Sequence, residues 1–316
     1  MSRLIAGFRA HLEAETSSTP LAIFRVGIGI AAFVKSWDWA YRGSRYDGEI
    51  LTSPLLPSWA PAVDGALWPL FFGAYQLLAI ALVIGIAPRA ASLLLAGANL
   101  GAIYLAGLYN NHLAFLTALL VLLALADSAA AWSPRARRHG SRPLVPAWPI
   151  TLLKVQLSVL YLFAGINKLN PVFWTGDPIV GVAQGAILWP QPGDEPLLLL
   201  YVTMGVSTIV WELAAPVALW IRGWPRAIAM GAGVVFHLGM MVTLSSSWLR
   251  VHGIGVFAIA SLAAYVLFLE MDPGEHPRVS AESLRRWLGF GEPREVGQLE
   301  RDANHSRMRR AHRGAA

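Results

Sequence analysis

The chain has 316 residues, 55% of them hydrophobic and only 14% charged, with a formal net charge of +6 and no cysteine. Its mean hydropathy of +0.50 exceeds what the core of a water-soluble protein of this size requires, so the composition points to an all-α, polytopic integral membrane protein. The missing cysteine excludes disulfides, thiol relays, thiolate metal sites and a quinone reductase of the CxxC kind.

Residues 1–19 lack the apolar core expected of a cleavable signal. Leu4, Ile5, Phe8 and Leu12 recur there at helical spacing, which predicts an amphipathic helix lying at the membrane interface. A transmembrane domain is expected over 20–270, opened by Pro20. Within it, apolar runs near the roughly 20 residues that cross about 30 Å of hydrocarbon lie at about 21–40, 66–87, 89–108, 113–131, 150–169, 197–221, 227–248 and 253–270. This is a bundle of about eight transmembrane helices.

Basic residues collect on cytoplasmic loops. With the N-terminus inside, Arg89, the group Arg135, Arg137, Arg138 and Arg142, and the pair Arg222 and Arg226 all fall on the inner side. The outer turn 109–112 has neither Lys nor Arg, and the charges of 170–196 are Asp177, Asp194 and Glu195. The exception is 41–65, where Arg42 and Arg45 are offset by Asp47, Glu49 and Asp64. Both termini are therefore expected in the cytoplasm, and the location expected is the cytoplasmic membrane of a bacterium. Residues 271–316 read as a charged cytoplasmic tail, with one surface-lying helix around Val279, Leu284, Trp287 and Leu288 and disorder beyond about 291. Tryptophans gather at the predicted span ends, with Trp211 in mid-helix. The positive net charge is mostly that of inner arginines facing anionic lipid, so no nucleic-acid partner is read from it. No internal repeat supports a transporter.

No HExxH, P-loop, GxGxxG or GxSxG stands in a usable context, and no metal site is expected. Chemistry then falls to polar residues in or just above the membrane. Arg25, Lys35 and Lys154 lie near span ends, where snorkelling explains them. Lys168, in FAGINKLN, also ends a span, and only three of the 25 basic residues are lysines. A desolvated amine can lose its proton and a guanidinium cannot, so Lys168 has two readings, snorkelling or proton transfer. Tyr109, Asn110, Asn111 and His112 form the outer turn between the third and fourth spans, on the side of Lys168. Its amides either cap helix ends or serve a site at that depth. Glu212 and His237 lie within the sixth and seventh spans. They form either an interhelical hydrogen bond or part of a functional site, with Glu212 the deeper and able to fix His237 through one ring nitrogen.

YNNH followed by an apolar helix, then WPITLLKVQLSVLYLFAGINKLN with Trp174 after it, then WELAAP and FHL, resemble the horizontally transferred transmembrane (HTTM) domain, which includes the vitamin K-dependent gamma-carboxylase. The resemblance covers about residues 16–270, with LAIFRVGIG a weaker match. It implies a membrane-embedded, quinol-dependent oxygenase (epoxidase) or carboxylase-like enzyme. Lys168 falls on the family's base for deprotonating reduced vitamin K, and His112 on a histidine implicated in handling the glutamate substrate. Asn110, Asn111, Tyr109, Trp174, His237 and Glu212 complete the expected substrate-binding set. The co-substrates implied are reduced vitamin K or menaquinol, oxygen and carbon dioxide, and the partners are membrane lipid, the quinol and a peptidic substrate. Two departures bear on this. Asn167 stands where the carboxylase has a second lysine, and no counterpart of its propeptide-recognising lumenal portion is expected, so the quinol-oxidising half of the chemistry is the expected one and glutamate carboxylation is left open. Bacterial members also include a membrane protein that matures a sporulation-delaying toxin. A non-catalytic factor binding or maturing a peptide or lipid is therefore the alternative.

Overall fold

An apolar chain in an apolar surrounding has to satisfy its backbone hydrogen bonds internally, which favours helices over any open strand. The computed structural model describes residues 13–43, 50–51, 63–64, 67–105, 109–174, 196–243, 251–273 and 280–290. In chain order they form β1 (Glu15–Ser17), α1 (Ser18–Gly43), β2 (Ile50–Leu51), β3 (Val63–Asp64), α2 (Trp68–Ile84), α3 (Pro88–Leu105), α4 (Asn111–Leu125), α5 (Pro134–His139), β4 (Leu144–Pro146), α6 (Ala147–Asn167), α7 (Pro171–Trp174), α8 (Pro196–Ala218), α9 (Trp224–Thr243), α10 (Val251–Tyr265), a 3-10 turn (Val266–Phe268) and α11 (Ala281–Trp287). The fold is all-α apart from two short antiparallel pairs, β1 with β4 and β2 with β3. Ser18–Trp37 and Ala147–Asn167 are long and apolar enough to cross a membrane; Pro69–Ile84, Asn111–Leu125, Val202–Ala218 and Ile254–Phe268 are shorter apolar helices. Leu70 and Leu77 on α2, Leu199 on α8 and Val235 on α9 stay exposed, as expected of surfaces that meet lipid.

The N-terminal segment differs from the helix expected over 1–19. Glu15–Ser17 is extended because Glu15 pairs with Pro146 and Ser17 with Leu144, while residues 1–12 lie outside the described residues. The tail also has a defined anchor. In α11 the Ser280 side chain accepts from Ser283 N and the Ser283 side chain accepts from Ser280 N, a reciprocal cap. Trp287 is buried, Glu270 N donates to Trp287 O (2.8 Å) and Gly223 N donates to Leu288 O (2.9 Å). The remainder expected to be disordered, 291–316, lies outside the described residues.

These ties gather one end of the bundle. The β1–β4 pair joins the starts of α1 and α6, and α11 joins the α8–α9 turn to the segment after α10. Arg25, in the early turns of α1, adds the end of α4: its guanidinium donates to the carbonyls of Ser128, Ala131 (3.2 Å) and Trp132 (2.6 Å). Snorkelling does not describe this residue, which is fully buried. The carbonyls beyond a helix C-terminus lack intrahelical donors, and a guanidinium supplies several in one plane. Lys35 is likewise buried instead of reaching for a surface. At the opposite end lie the starts of α4, α8 and α10 and the ends of α6 and α9.

The interior is held by α1 packed on α2 and α10, α3 on α4, and α6 on α8, around Phe24, Ile28, Leu95, Leu116, Leu157 and Val256. Small residues let helices approach where no water drives them together. A Cβ on Gly27 would sit 2.5 Å from Ala263 Cβ on α10, whereas nothing lies within 4 Å of one on Gly97. Gly27→Ala is therefore expected to destabilise the protein by about 1–3 kcal/mol through overpacking, and Gly97→Ala to be neutral or stabilising by up to roughly 1 kcal/mol. Thermal unfolding of both variants in the same detergent checks the contrast, and equal melting temperatures would contradict the packing described.

Candidate functional site

Lys168 caps the C-terminus of α6, its N–H donating to the Gly165 carbonyl (3.1 Å) while Leu169 N donates to that of Ile166 (3.0 Å). Its ammonium turns inward. Nζ donates to both carboxylate oxygens of Glu212, at 2.6 Å each, with a longer contact to Ala164 O at 3.5 Å. The Lys168 side chain is 22% exposed and that of Glu212 5%, so the pair is largely removed from solvent. The Phe173 ring lies 5.9 Å from Nζ and flanks the amine with an aromatic face.

Gly165 makes this pairing possible. A Cβ there would meet Leu213 Cδ2 at 2.8 Å and Glu212 Cβ at 3.3 Å. Only glycine lets the last turn of α6 lie against α8 closely enough for Lys168 to reach across. Lys168 thus meets the second half of α8. The expected depth order, with Lys168 at the rim and Glu212 well below it, is replaced by a pair at one level, because the first half of α8 extends past the end of α6.

The expected link between Glu212 and His237 does not form either. His237 on α9 is fully buried, and its Nε2 lies 2.8 Å from Tyr161 Oη, which lies 2.7 Å from Tyr265 Oη. Nδ1 of His237 has no hydrogen-bond partner among the described residues. Trp211, next to Glu212, packs edge-on against Tyr161 at 4.7 Å and donates through Nε1 to Ala229 O at 3.2 Å. Tyr161 is seven positions before Lys168 and so shares its helix face, two turns away. This aromatic layer joins α6, α8, α9 and α10 beneath the ion pair.

His112 is half-buried, and its ring packs at 5.0 Å on Phe257. Phe257 also contacts the His237 ring at 5.2 Å, so both histidines pack on one phenyl group. The rest of the turn is engaged with itself. Asn110 accepts from Leu113 N at 2.8 Å as the N-cap of α4, and exposed Tyr109 donates to Asn111 Oδ1 at 3.2 Å. Trp174, at the end of α7, is half-exposed. The structure brings together Lys168 with Glu212, and His112 with His237 through Phe257, while no hydrogen bond or ring contact among the described residues joins Asn110, Asn111, Tyr109 or Trp174 to either pair. Sequence reasoning missed Tyr161, Trp211, Phe257 and Tyr265. The spacing of Tyr161 from Lys168 was a usable signal; aromatic residues in apolar helices otherwise look like ordinary packing.

Comparison with known proteins agrees with this arrangement of segments, since the family model of the HTTM domain matches residues 14–272. The chain belongs to the HTTM domain family. The HTTM domain is associated with membrane proteins that are vitamin K-dependent carboxylase-like. The match spans every residue of the ion pair and of the aromatic layer, and stops before α11. No curated protein and no solved structure matches the chain. Among the described residues no group of three or more His, Cys, Asp or Glu is placed to hold a metal ion.

A buried carboxylate that loses its cation costs far more than the pair is worth as a whole. Lys168→Met is therefore expected to destabilise this HTTM protein by about 3–5 kcal/mol, and Lys168→Met combined with Glu212→Leu to recover at least about half of that loss. Unfolding of Lys168→Met, Glu212→Leu and the double variant in micelles measures it. A double variant as unstable as the sum of the two single ones would mean that the residues do not interact.

Proposed function

We propose that the HTTM domain spans the membrane eight times with both termini in the cytoplasm. There it acts as a quinol-dependent oxygenase of the carboxylase-like kind, with the Lys168–Glu212 pair as its proton acceptor. The observation that carries this reading is the bidentate contact between an ammonium and a carboxylate in an apolar bundle, at the end where His112 also lies. An ammonium has no lone pair with which to take a proton. The pair can accept one all the same: Lys168 passes a proton to Glu212 and takes the phenolic proton of the quinol in its place. The carboxylate ends protonated, and the ammonium exchanges its counter-ion from Glu212 to the phenolate. No net charge is created in the low-dielectric interior, which avoids the desolvation cost of a lone ion.

The phenolate then reacts with oxygen, so that quinol and O2 give the quinone epoxide and water. The natural quinol is reduced vitamin K or menaquinol, entering from the lipid. His112 and the neighbouring amides hold an acidic group of a small or peptidic substrate at the outer rim. Asn167 beside the base leaves quinol oxidation as the retained half of the chemistry, with carbon dioxide a co-substrate only if the carboxylation half persists. A second reading, a non-catalytic membrane factor that binds or matures a peptide or lipid, draws on the same ion pair, which a purely structural bridge would also form.

Purified protein supplied with reduced menaquinone and oxygen is expected to form the epoxide, detected by mass spectrometry. Lys168→Ala, Lys168→Arg and Glu212→Gln should each lower the rate by about 100-fold or more, the usual scale for removing a general base. The arginine variant keeps the charge but cannot relay a proton. Full quinol oxidation by Lys168→Ala would overturn the enzymatic reading and leave the binding factor.

A further inference from the structure

At the end of the bundle opposite Lys168 lies a cavity of about 250 Å³ among the starts of α1 and α6, the α8–α9 turn, the segment after α10, and α11. Its charged lining is Lys154, Arg222, Arg286, Glu15, Glu270 and Asp272. Most of these charges are already matched. Arg222 Nη2 lies 2.5 Å from Glu270 Oε2, Arg226 Nη1 lies 2.8 Å from Glu270 Oε1, and Arg286 Nη1 lies 3.4 Å from Asp272 Oδ2. Glu270 thus serves two arginines at once, and Glu15 is exposed.

Lys154 is the group left over. Its Nζ lies 5.3 Å from the Phe268 ring and 5.9 Å from the Trp220 ring, and no hydrogen bond or ion pair to it forms among the described residues. An ammonium has three donors, and holding them beside apolar rings without an acceptor is costly. Among the described residues the lining itself balances, three cations (Lys154, Arg222, Arg286) against three carboxylates (Glu15, Glu270, Asp272), but Glu270 also serves Arg226 and Glu15 is exposed, so the Lys154 ammonium is the one left without an ion-pair partner. The space is several times the roughly 30 Å³ share of one water molecule, enough for a tetrahedral oxyanion.

We propose that this cavity binds a phosphate group, with Lys154 as its inner donor and the half-exposed Arg222 and Arg286 at its mouth. Phosphate accepts charge-assisted hydrogen bonds from all three. The group is supplied either by the headgroup of an anionic phospholipid or by free inorganic phosphate. The site is separate from the Lys168–Glu212 pair, so it stands whether or not the chain oxidises a quinol.

Native mass spectrometry of the full chain released from micelles containing equal phosphatidylglycerol and phosphatidylcholine tests the lipid source, and a melting-temperature titration with inorganic phosphate tests the free anion. If the source is lipid, the wild type retains phosphatidylglycerol over phosphatidylcholine, and Lys154→Gln lowers the retained amount by about tenfold or more, the scale of one lost hydrogen bond to a charged group. If it is free phosphate, the anion raises the melting temperature of the wild type but not of Lys154→Gln, with no lipid preference. Arg222→Gln, a change at the mouth, gives the same comparison should Lys154→Gln fail to fold. Retention and phosphate response that are equal in wild type and variants would overturn the proposal.

Discussion

A carboxylate placed among apolar helices needs a cation, and the Lys168–Glu212 pair meets that need at 2.6 Å to both oxygens. Much of the surrounding architecture follows from it. The pair requires α6 and α8 to lie close, which Gly165 permits, and it requires the first half of α8 to extend beyond the end of α6. The same rule governs other polar groups inside the bundle. Arg25 is matched by carbonyls after α4, His237 by Tyr161, and Tyr75 by Asn99 at 2.9 Å. Each is a polar side chain joining two or more segments, because in a low-dielectric interior an unmatched group costs more than a matched pair returns.

That asymmetry also separates stability from function. Replacing a buried ion pair by well-packed apolar side chains is often neutral or stabilising, so packing alone gives little reason for Lys168 and Glu212 to sit where they do. A pair that can redistribute protons without changing its net charge is, by contrast, suited to acid–base chemistry away from water. The aromatic layer of Tyr161, Trp211, His237 and Tyr265 beneath it excludes solvent from the inner side. The pair lies at the end of the bundle that carries His112.

The eight apolar runs were legible in the sequence because helix formation there depends on local composition and length, and each overlaps one helix among the described residues, with Ser18–Trp37 and Ala147–Asn167 long and apolar enough to cross a membrane. Lys168 stood out as a rare lysine at the end of such a run. Its partner did not, since depth was counted inward from loop ends, as though neighbouring helices began and ended flush; the overhang of α8 past α6 is a tertiary fact with no local signal. The same blindness made Arg25 look like a snorkelling residue. Its carbonyl partners lie more than a hundred positions away in sequence, in a segment whose fold is fixed only when α4 packs on α1. Asn110 and Asn111 were legible as a capping turn, and Asn110 does cap α4, because that interaction spans three residues.

The central claim is that a proton taken from the substrate resides on Glu212 while Lys168 stays charged. Infrared difference spectroscopy on the purified protein, comparing the reduced quinol added under anaerobic conditions with the protein alone, reads this directly. A new protonated-carboxyl C=O band should appear on quinol binding in the wild type and be absent in Glu212→Gln. A spectrum without that band, or one in which the band persists unchanged in Glu212→Gln, would contradict the account.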